Sequence, residues 1–175
     1  MTREVILEEH NPAWADNFAA EYRLIAEALA DSCVAIHHIG STAIPASVAK
    51  PLIDVLVVAR SLAMIDSRNG EMASLGYEAH GEYGIAGRRY FRKFNASGIR
   101  TFHVHAFAEG DSHVDRHLAF RDFMNAHPEW ARRYSDLKLS LAAKFPDSAE
   151  DYWRGKGDFI RHVDELAANW RPSEK

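Results

Sequence analysis

Two neighbouring stretches carry the strongest structural signal in this chain, His38-Ile39-Gly40-Ser41-Thr42 and Leu52-Ile53-Asp54-Val55-Leu56-Val57-Val58. The first ends a β-rich apolar run in Gly-Ser, and the second is an apolar run with one acid near its start. A Gly-Ser turn lets the backbone approach phosphate groups, and a carboxylate on a strand can hold a divalent metal ion against them. The pair predicts a phosphate-binding turn at Gly40, Ser41 and Thr42 beside a metal-binding Asp54.

The same stretches weaken the prediction of a catalytic site, because Leu56 stands two residues after Asp54. A two-metal site of this kind needs a second carboxylate. Glu82 and Asp122 are the acids that could replace it. A purely structural interpretation also exists: Ser41 or Thr42 caps a short helix, and backbone donors satisfy Asp54.

Outward from these stretches, apolar periodicity predicts an α+β fold, with a mixed β-sheet, flanking helices and a C-terminal helical segment. Asn11 and Pro12 are a typical helix start, and Trp14 and Phe18 begin the apolar face of that helix. We predict strands at 34–39, 52–59, 77–80, 89–95 and 100–108, and further helices at 61–75, 112–125, from 128 onward and 149–170.

Length and composition restrict the functional classes. The 175 residues predict one domain over 1–175, and a net charge of -4 gives no general attraction to nucleic acid or anionic membranes. One cysteine, Cys33, excludes an intrachain disulfide. Residues 1–10 lack the apolar core of a signal peptide, and no run is long enough to span a membrane. We therefore expect a cytoplasmic protein that binds neither nucleic acid nor membranes.

Further ligands come from a later strand and from scattered cations. His103 and His105 are two apart on a predicted strand, so both rings would point to one side and could reach one ion or phosphate. The alternative is a half-exposed strand face that uses histidine as a surface residue. Polyphosphates require cations from several elements, and the four that we select are Lys50, Arg92, Arg121 and Lys138. Arg121 could instead pair locally with Asp122 or Glu129.

Several of these motifs resemble the GrpB family over nearly the whole chain. They are His38-Ile39-Gly40-Ser41-Thr42-Ala43-Ile44-Pro45, Ala49-Lys50-Pro51-Leu52-Ile53-Asp54, His103-Val104-His105, His117-Leu118-Ala119-Phe120-Arg121-Asp122-Phe123, Tyr134-Ser135-Asp136-Leu137-Lys138, and Tyr152 with Lys156. The resemblance implies a fold of the nucleotidyltransferase superfamily. It does not imply a particular reaction, because most family members have no assigned reaction. Some members are fused to dephospho-coenzyme A kinase.

Two residues depart from the family pattern. Ala46 stands where a glycine usually follows the proline, and it would be strained if that position needs a positive φ. Phe102 stands where the family pattern predicts another histidine, which would remove one metal or phosphate contact.

These observations predict a metal-dependent nucleotide- or polyphosphate-binding protein using Mg²⁺ or Mn²⁺. Its catalytic form would be a nucleotidyltransferase acting on a small acceptor, with Asp54, His103 and His105 as metal ligands and a histidine as general base. The missing acid leaves two alternatives open. One is a non-catalytic module that binds a small phosphorylated metabolite, linked to coenzyme A metabolism, and the other is a metal-dependent phosphohydrolase. The sequence does not predict the oligomeric state.

Overall fold

A five-stranded mixed sheet forms the centre of the protein, in the order β1-β2-β5-β4-β3. The computed structural model describes residues 5–170, so the ends of the expected domain, 1–4 and 171–175, lie outside the described residues. Neighbouring strands are antiparallel except for the central pair, β2 and β5. The strands are β1 (Cys33–Ile39), β2 (Ile53–Ala59), β3 (Tyr77–Ala79), β4 (Arg88–Phe94) and β5 (Arg100–Ala108).

Seven α-helices lie within the described residues, and three predicted helices are confirmed within a few residues: the first, the one at 112–125 and the one that begins at Pro128. At the start of the first, Asn11 Oδ1 accepts a hydrogen bond from the Ala13 N–H at 3.0 Å. The helices are α1 (Ala13–Leu29), α2 (Leu62–Asp66), α3 (Asn69–Ser74), α4 (Ser112–Ala126), α5 (Pro128–Lys144), α6 (Ala149–Gly155) and α7 (Gly157–Asn169). None of them is long and apolar enough to cross a membrane.

The alternation of side chains along the strands divides the core into two layers. Helices α1, α2 and α3 cover one face of the sheet, where Ile25, Ile65 and Met72 pack on the odd-numbered residues of β2. Helix α4 covers part of the other face, where Val114 packs with Leu56 and its neighbours. The C-terminal helices form a further apolar cluster around Ile44, in the segment that joins β1 to β2.

Two predicted helices are wrong as single elements. The 61–75 helix is two short helices, because the Ser67 hydroxyl donates to the Met64 carbonyl at 2.6 Å and competes with helix continuation. The 149–170 helix breaks at Lys156, between two glycines. A Cβ atom at Gly155 would overlap the Leu141 side chain, so this glycine permits close packing of α6 on α5.

The two departures from the family pattern have no cost in this structure. Positive φ outside glycine is confined, within the described residues, to Ala30 and Tyr83, so Ala46 is not strained. Phe102 packs against the α1 side of the sheet, opposite to the face that carries His103 and His105. The expectation that a contact is lost at Phe102 is therefore wrong, because a side chain at this position points to the other face.

Candidate functional site

The parallel pairing of β2 with β5 brings Asp54, His103 and His105 together. Asp54 lies directly opposite His103 in the strand register, and Leu56 lies opposite His105. Asp54 Oδ1 is 3.1 Å from His105 Nε2 and 3.5 Å from His103 Nδ1. The two imidazoles thus converge on one carboxylate oxygen. We call these three residues the Asp54 cluster.

Electrostatics keep the Asp54 carboxylate ionised. Burial raises its pKa, but hydrogen bonds from His103 and His105 outweigh burial and hold the pKa below its usual range. The side chain keeps 29% of its surface exposed, so a ligand can still reach it. His117 of α4 lies beside His105, with ring centroids 5.9 Å apart, and burial lowers its pKa to about 3. It is therefore a neutral neighbour.

The donor atoms of the Asp54 cluster fit a single metal ion. One carboxylate oxygen and two imidazole nitrogens lie within 4.8 Å of one another, and each of the three side chains is partly accessible. His103 Nε2 is buried without a hydrogen-bond partner among the described residues. When a metal ion binds, this nitrogen can keep the ring proton while Nδ1 offers its lone pair to the ion instead of donating to Asp54.

The Gly-Ser turn lies directly against Asp54. Gly40 has φ +72°, and a Cβ atom there would lie 2.6 Å from Asp54 Oδ2, so only glycine allows this approach. Neither neighbouring hydroxyl caps the following turn, Ser41–Ala43, which rules out the capping interpretation. Ser41 Oγ accepts from Lys138 Nζ at 3.1 Å, whereas Thr42 Oγ1 contacts His38 Nε2 at 2.8 Å.

Three lysines gather beside this turn. The Lys138 ammonium is buried and donates to Ser41 Oγ, to Ser47 Oγ at 2.8 Å and to the Val48 carbonyl. The ammonium groups of Lys50 and Lys156 each lie 4.7 Å from the centre of the Tyr152 ring. Burial lowers the pKa of Lys138 to about 7, and burial together with Lys50 lowers that of Lys156 to about 8.

A guanidinium and aromatic layer on β4 borders the other side of the Asp54 cluster. Tyr90 lies opposite His105 in the strand register, and its ring centroid is 5.2 Å from that of His105. Arg92 lies opposite His103, with its guanidinium 4.3 Å from the centre of the Tyr83 ring. Arg88 Nη1 is 3.4 Å from His105 Nδ1.

Other sequence-predicted residues lie outside the cluster's contacts. Arg121 donates to Asp122 at 2.8 Å and to the His38 carbonyl at 3.1 Å, so it makes the local pair that the sequence allowed. Glu82 Oε1 accepts from the Gly87 N–H at 2.8 Å. Within the described residues, neither Glu82 nor Asp122 therefore supplies a second carboxylate to the Asp54 cluster.

Sequence reasoning missed Arg88, Tyr90, Tyr134 and Tyr152 as neighbours of the site. Alternation along β4 could have found the first two, because Arg88, Tyr90 and Arg92 share one strand face. The intervening Arg89 pairs instead with Asp66 on the opposite face. Tyr134 and Tyr152 stand in segments that resemble the family, but no local pattern indicates that helix packing brings them to the turn.

The family follows from comparison with known proteins. The model of the family described as "GrpB protein" matches residues 4–165. The chain belongs to the GrpB family. UPF0157 protein YqkA of Bacillus subtilis is 43% identical over 96% of this chain. The glutamate-rich protein GrpB of Alkalihalophilus pseudofirmus is 33% identical over 91% of this chain and 94% of its own length. The chain spans about half of YqkA, 48% of its length.

Solved structures confirm the predicted fold class. The conserved GrpB protein of Enterococcus faecalis superposes with a TM-score of 0.87 at 38% identity, covering 93% of this chain and 96% of that one. The Cid1 poly(U) polymerase gives a TM-score of 0.52 at 13% identity over 79% of this chain and 43% of its own. Terminal uridylyl transferase 4 from Trypanosoma brucei, with bound CTP, gives 0.51 at 13% identity over 93% and 52%. This GrpB-family chain therefore has a nucleotidyltransferase-like fold.

Proposed function

We propose that this chain binds a nucleotide or a related small polyphosphate together with a divalent metal ion at the Asp54 cluster. The observation that carries the proposal is a local excess of positive charge around one carboxylate. Arg88, Arg92, Lys138 and Lys156 surround the site, and none of them joins an acid in the ion pairs of residues 5–170. Buried cations need anionic partners, and an anionic ligand would provide them.

The chain's own groups suggest how such a ligand is held. The glycine at position 40 lets backbone N–H groups approach phosphate oxygens, and Ser41 Oγ lies between that backbone and Lys138. Lys50 approaches from the segment that joins β1 to β2, and Lys156 approaches from the break between α6 and α7, both as point charges. Arg92 approaches from β4 with a planar guanidinium. A divalent ion bound at the Asp54 cluster would neutralise phosphate charge.

The catalytic form of the proposal is nucleotidyl transfer to a small acceptor. The acceptor hydroxyl oxygen bonds to the α-phosphorus, the bond to the β-phosphate oxygen breaks, and pyrophosphate leaves. With both imidazoles of the Asp54 cluster holding the metal ion, the hydroxyl proton would pass to an oxygen of the leaving pyrophosphate. The lysines stabilise the charge that develops on the leaving pyrophosphate.

One observation favours a second candidate, a binding module without turnover. Leu56 is fully buried in an apolar cluster with Ile39, Val58 and Phe107. The position two residues after Asp54 is thus part of the core. A module of this kind would bind a phosphorylated metabolite, coenzyme A or its dephospho form among them, and release no product.

A thermal-shift screen tests the proposal. The four nucleoside triphosphates, coenzyme A and dephospho-coenzyme A are each measured with Mg²⁺, Mn²⁺ or EDTA, on the wild type and on Asp54→Asn. We expect a metal-dependent rise in melting temperature for at least one compound, lost in Asp54→Asn. Asp66→Asn is the matched control, because Asp66 pairs with Arg89 on the other face of the sheet and should keep the rise.

Product analysis then separates the two candidates. Release of pyrophosphate in the presence of an acceptor supports the transferase, while binding without product supports the module. Release of inorganic phosphate would instead identify a phosphohydrolase. The proposal is wrong if no phosphorylated compound shifts the melting temperature, or if Asp54→Asn shifts as the wild type does.

A further inference from the structure

The donor atoms of the Asp54 cluster indicate which kind of metal ion the cluster suits. Two of the three are imidazole nitrogens, and only one is a carboxylate oxygen. Mg²⁺ favours oxygen ligands, keeps several waters and is usually held by carboxylates and phosphates. Imidazole nitrogen instead suits first-row transition metals, and two histidines with one carboxylate form a set that such ions commonly occupy.

The core around Leu56 prevents the cluster from becoming an all-oxygen site. Leu56 has no exposed surface and lies opposite His105 in the strand register. The face of β2 next to Asp54 is therefore apolar, and its neighbour on β5 is an imidazole. A second ion bridged by carboxylates has no ligand here, so the arrangement suits one ion.

We infer that the Asp54 cluster selects a single first-row transition-metal ion with a stronger preference for nitrogen ligands, such as Co²⁺, over Mg²⁺. The inference rests on the proposed function, since it names the cofactor class of the same site. It makes the metal preference a property of His103 and His105, not of the bound nucleotide.

The two histidines differ in the contacts that metal binding would disturb. His105 Nδ1 already faces the Arg88 guanidinium at 3.4 Å, and Arg88 can only donate. If His105 binds an ion through Nε2, the ring proton must lie on Nδ1. Nδ1 could then no longer accept a hydrogen bond from Arg88, so the contact between Arg88 and His105 would break. His103 Nε2 has no such competitor among the described residues. His103 is therefore the better residue to exchange.

The first measurement uses the full chain stripped of metal and no nucleotide. Calorimetric titration with Mn²⁺, Co²⁺ and Mg²⁺ gives the three affinities, and the visible absorption of Co²⁺ reports nitrogen ligation directly. We expect Co²⁺ to bind at least about tenfold more tightly than Mg²⁺, with the affinity of Mn²⁺ between the two. Equal affinity for Mg²⁺ would overturn the inference while the proposed metal site survives. Failure of every ion to bind would overturn both.

Exchange of one ligand tests the cause of the preference. His103→Asp replaces an imidazole by a carboxylate and should reduce the ratio of Co²⁺ to Mg²⁺ affinity at least about tenfold. His103→Asn should weaken Co²⁺ binding without strengthening Mg²⁺ binding. His162→Asp, at an exposed histidine of α7, is the control and should leave the ratio unchanged. An unchanged ratio in a folded His103→Asp variant contradicts the inference, and the wild-type titration decides alone if that variant does not fold.

Discussion

Gly40 couples the backbone of the turn to the Asp54 carboxylate. Its φ of +72° with ψ of -174° lies in a region that is essentially restricted to glycine. Any side chain would also meet Asp54 Oδ2. Backbone conformation and close approach therefore demand the same residue, for two independent physical reasons.

We expect Gly40→Ala to lower the free energy of unfolding by about 1–3 kcal/mol and to abolish the metal-dependent rise in melting temperature. Urea unfolding and thermal shift with Mn²⁺ measure the two effects. Gly110→Ala is the matched control, because Gly110 also has a positive φ, of +84°, but open space around the Cβ position. It should lose stability and keep the metal response. A metal response that survives equally in both variants would contradict the assigned role of Gly40.

Lys138 should make stability depend on pH. Burial lowers its pKa in the folded protein to about 7 from 10.5, so between these values the unfolded chain binds a proton that the folded chain does not. The free energy of unfolding should therefore gain a rising contribution from about pH 7 to 10.5, and the cost of the buried charge is fully present below pH 7.

Lys138→Met should flatten this rise, as measured by urea unfolding across the same range. Lys144→Met, at an exposed lysine on the same helix, should retain the wild-type slope. A remaining slope from Lys156, whose pKa is lowered to about 8, is expected in both variants. Equal slopes in Lys138→Met and Lys144→Met would show that Lys138 does not titrate in this range.

At the scale of elements, β4 shows how strand alternation assigns neighbouring cations to different tasks. Arg89 and Lys93 face the α1 side and form ion pairs with Asp66 and Glu21. Arg92 faces the Asp54 cluster and forms cation–π contacts with Tyr83 and Tyr90. Of these three cations, only Arg92 is placed to meet a ligand at the site.

Arg92→Gln should therefore weaken binding of the polyphosphate found in the screen by about tenfold, the loss expected for one charge-assisted hydrogen bond. Calorimetric titration with Mn²⁺ present measures the affinity. Arg89→Gln, one strand face away, should bind as the wild type does while losing its ion pair with Asp66. If Arg89 were needed and Arg92 dispensable, the ligand would lie on the α1 side of the sheet, and the proposed site would be wrong.

At the scale of the whole molecule, the charge distribution is uneven. The chain has a net charge of -4, yet cations predominate around the Asp54 cluster. Long nucleic acids bind through many phosphate contacts over an extended basic surface, whereas one nucleotide needs only a local pocket.

We accordingly expect no gel shift of a single-stranded RNA oligonucleotide at protein concentrations that saturate a nucleotide with Mn²⁺. This test matters because two proteins that share the fold are named a poly(U) polymerase and a terminal uridylyl transferase. Repeating the assay at higher salt controls for nonspecific electrostatic binding of the RNA. A shift that persists there and is lost in Arg92→Gln would contradict the prediction.

Local pattern was sufficient for most elements and insufficient for their interruptions. Alternation and apolar runs predicted all five strands, since each pattern is a property of adjacent residues. The break at Lys156 follows Gly155, which packs closely on Leu141 of α5, and a contact between two helices is not visible in the pattern of either one. The break after Asp66 depends on a hydroxyl that could equally have faced solvent.

For this protein, sequence alone determined the α+β class, the glycine at the turn and the likeness to the GrpB family, because these depend on local chemistry and on short motifs. Only the tertiary structure decided that Asp54 meets both histidines and that Lys138 reaches Ser41. Strand register and helix packing set these contacts, and both result from burying apolar surface across the whole chain, which no local pattern encodes.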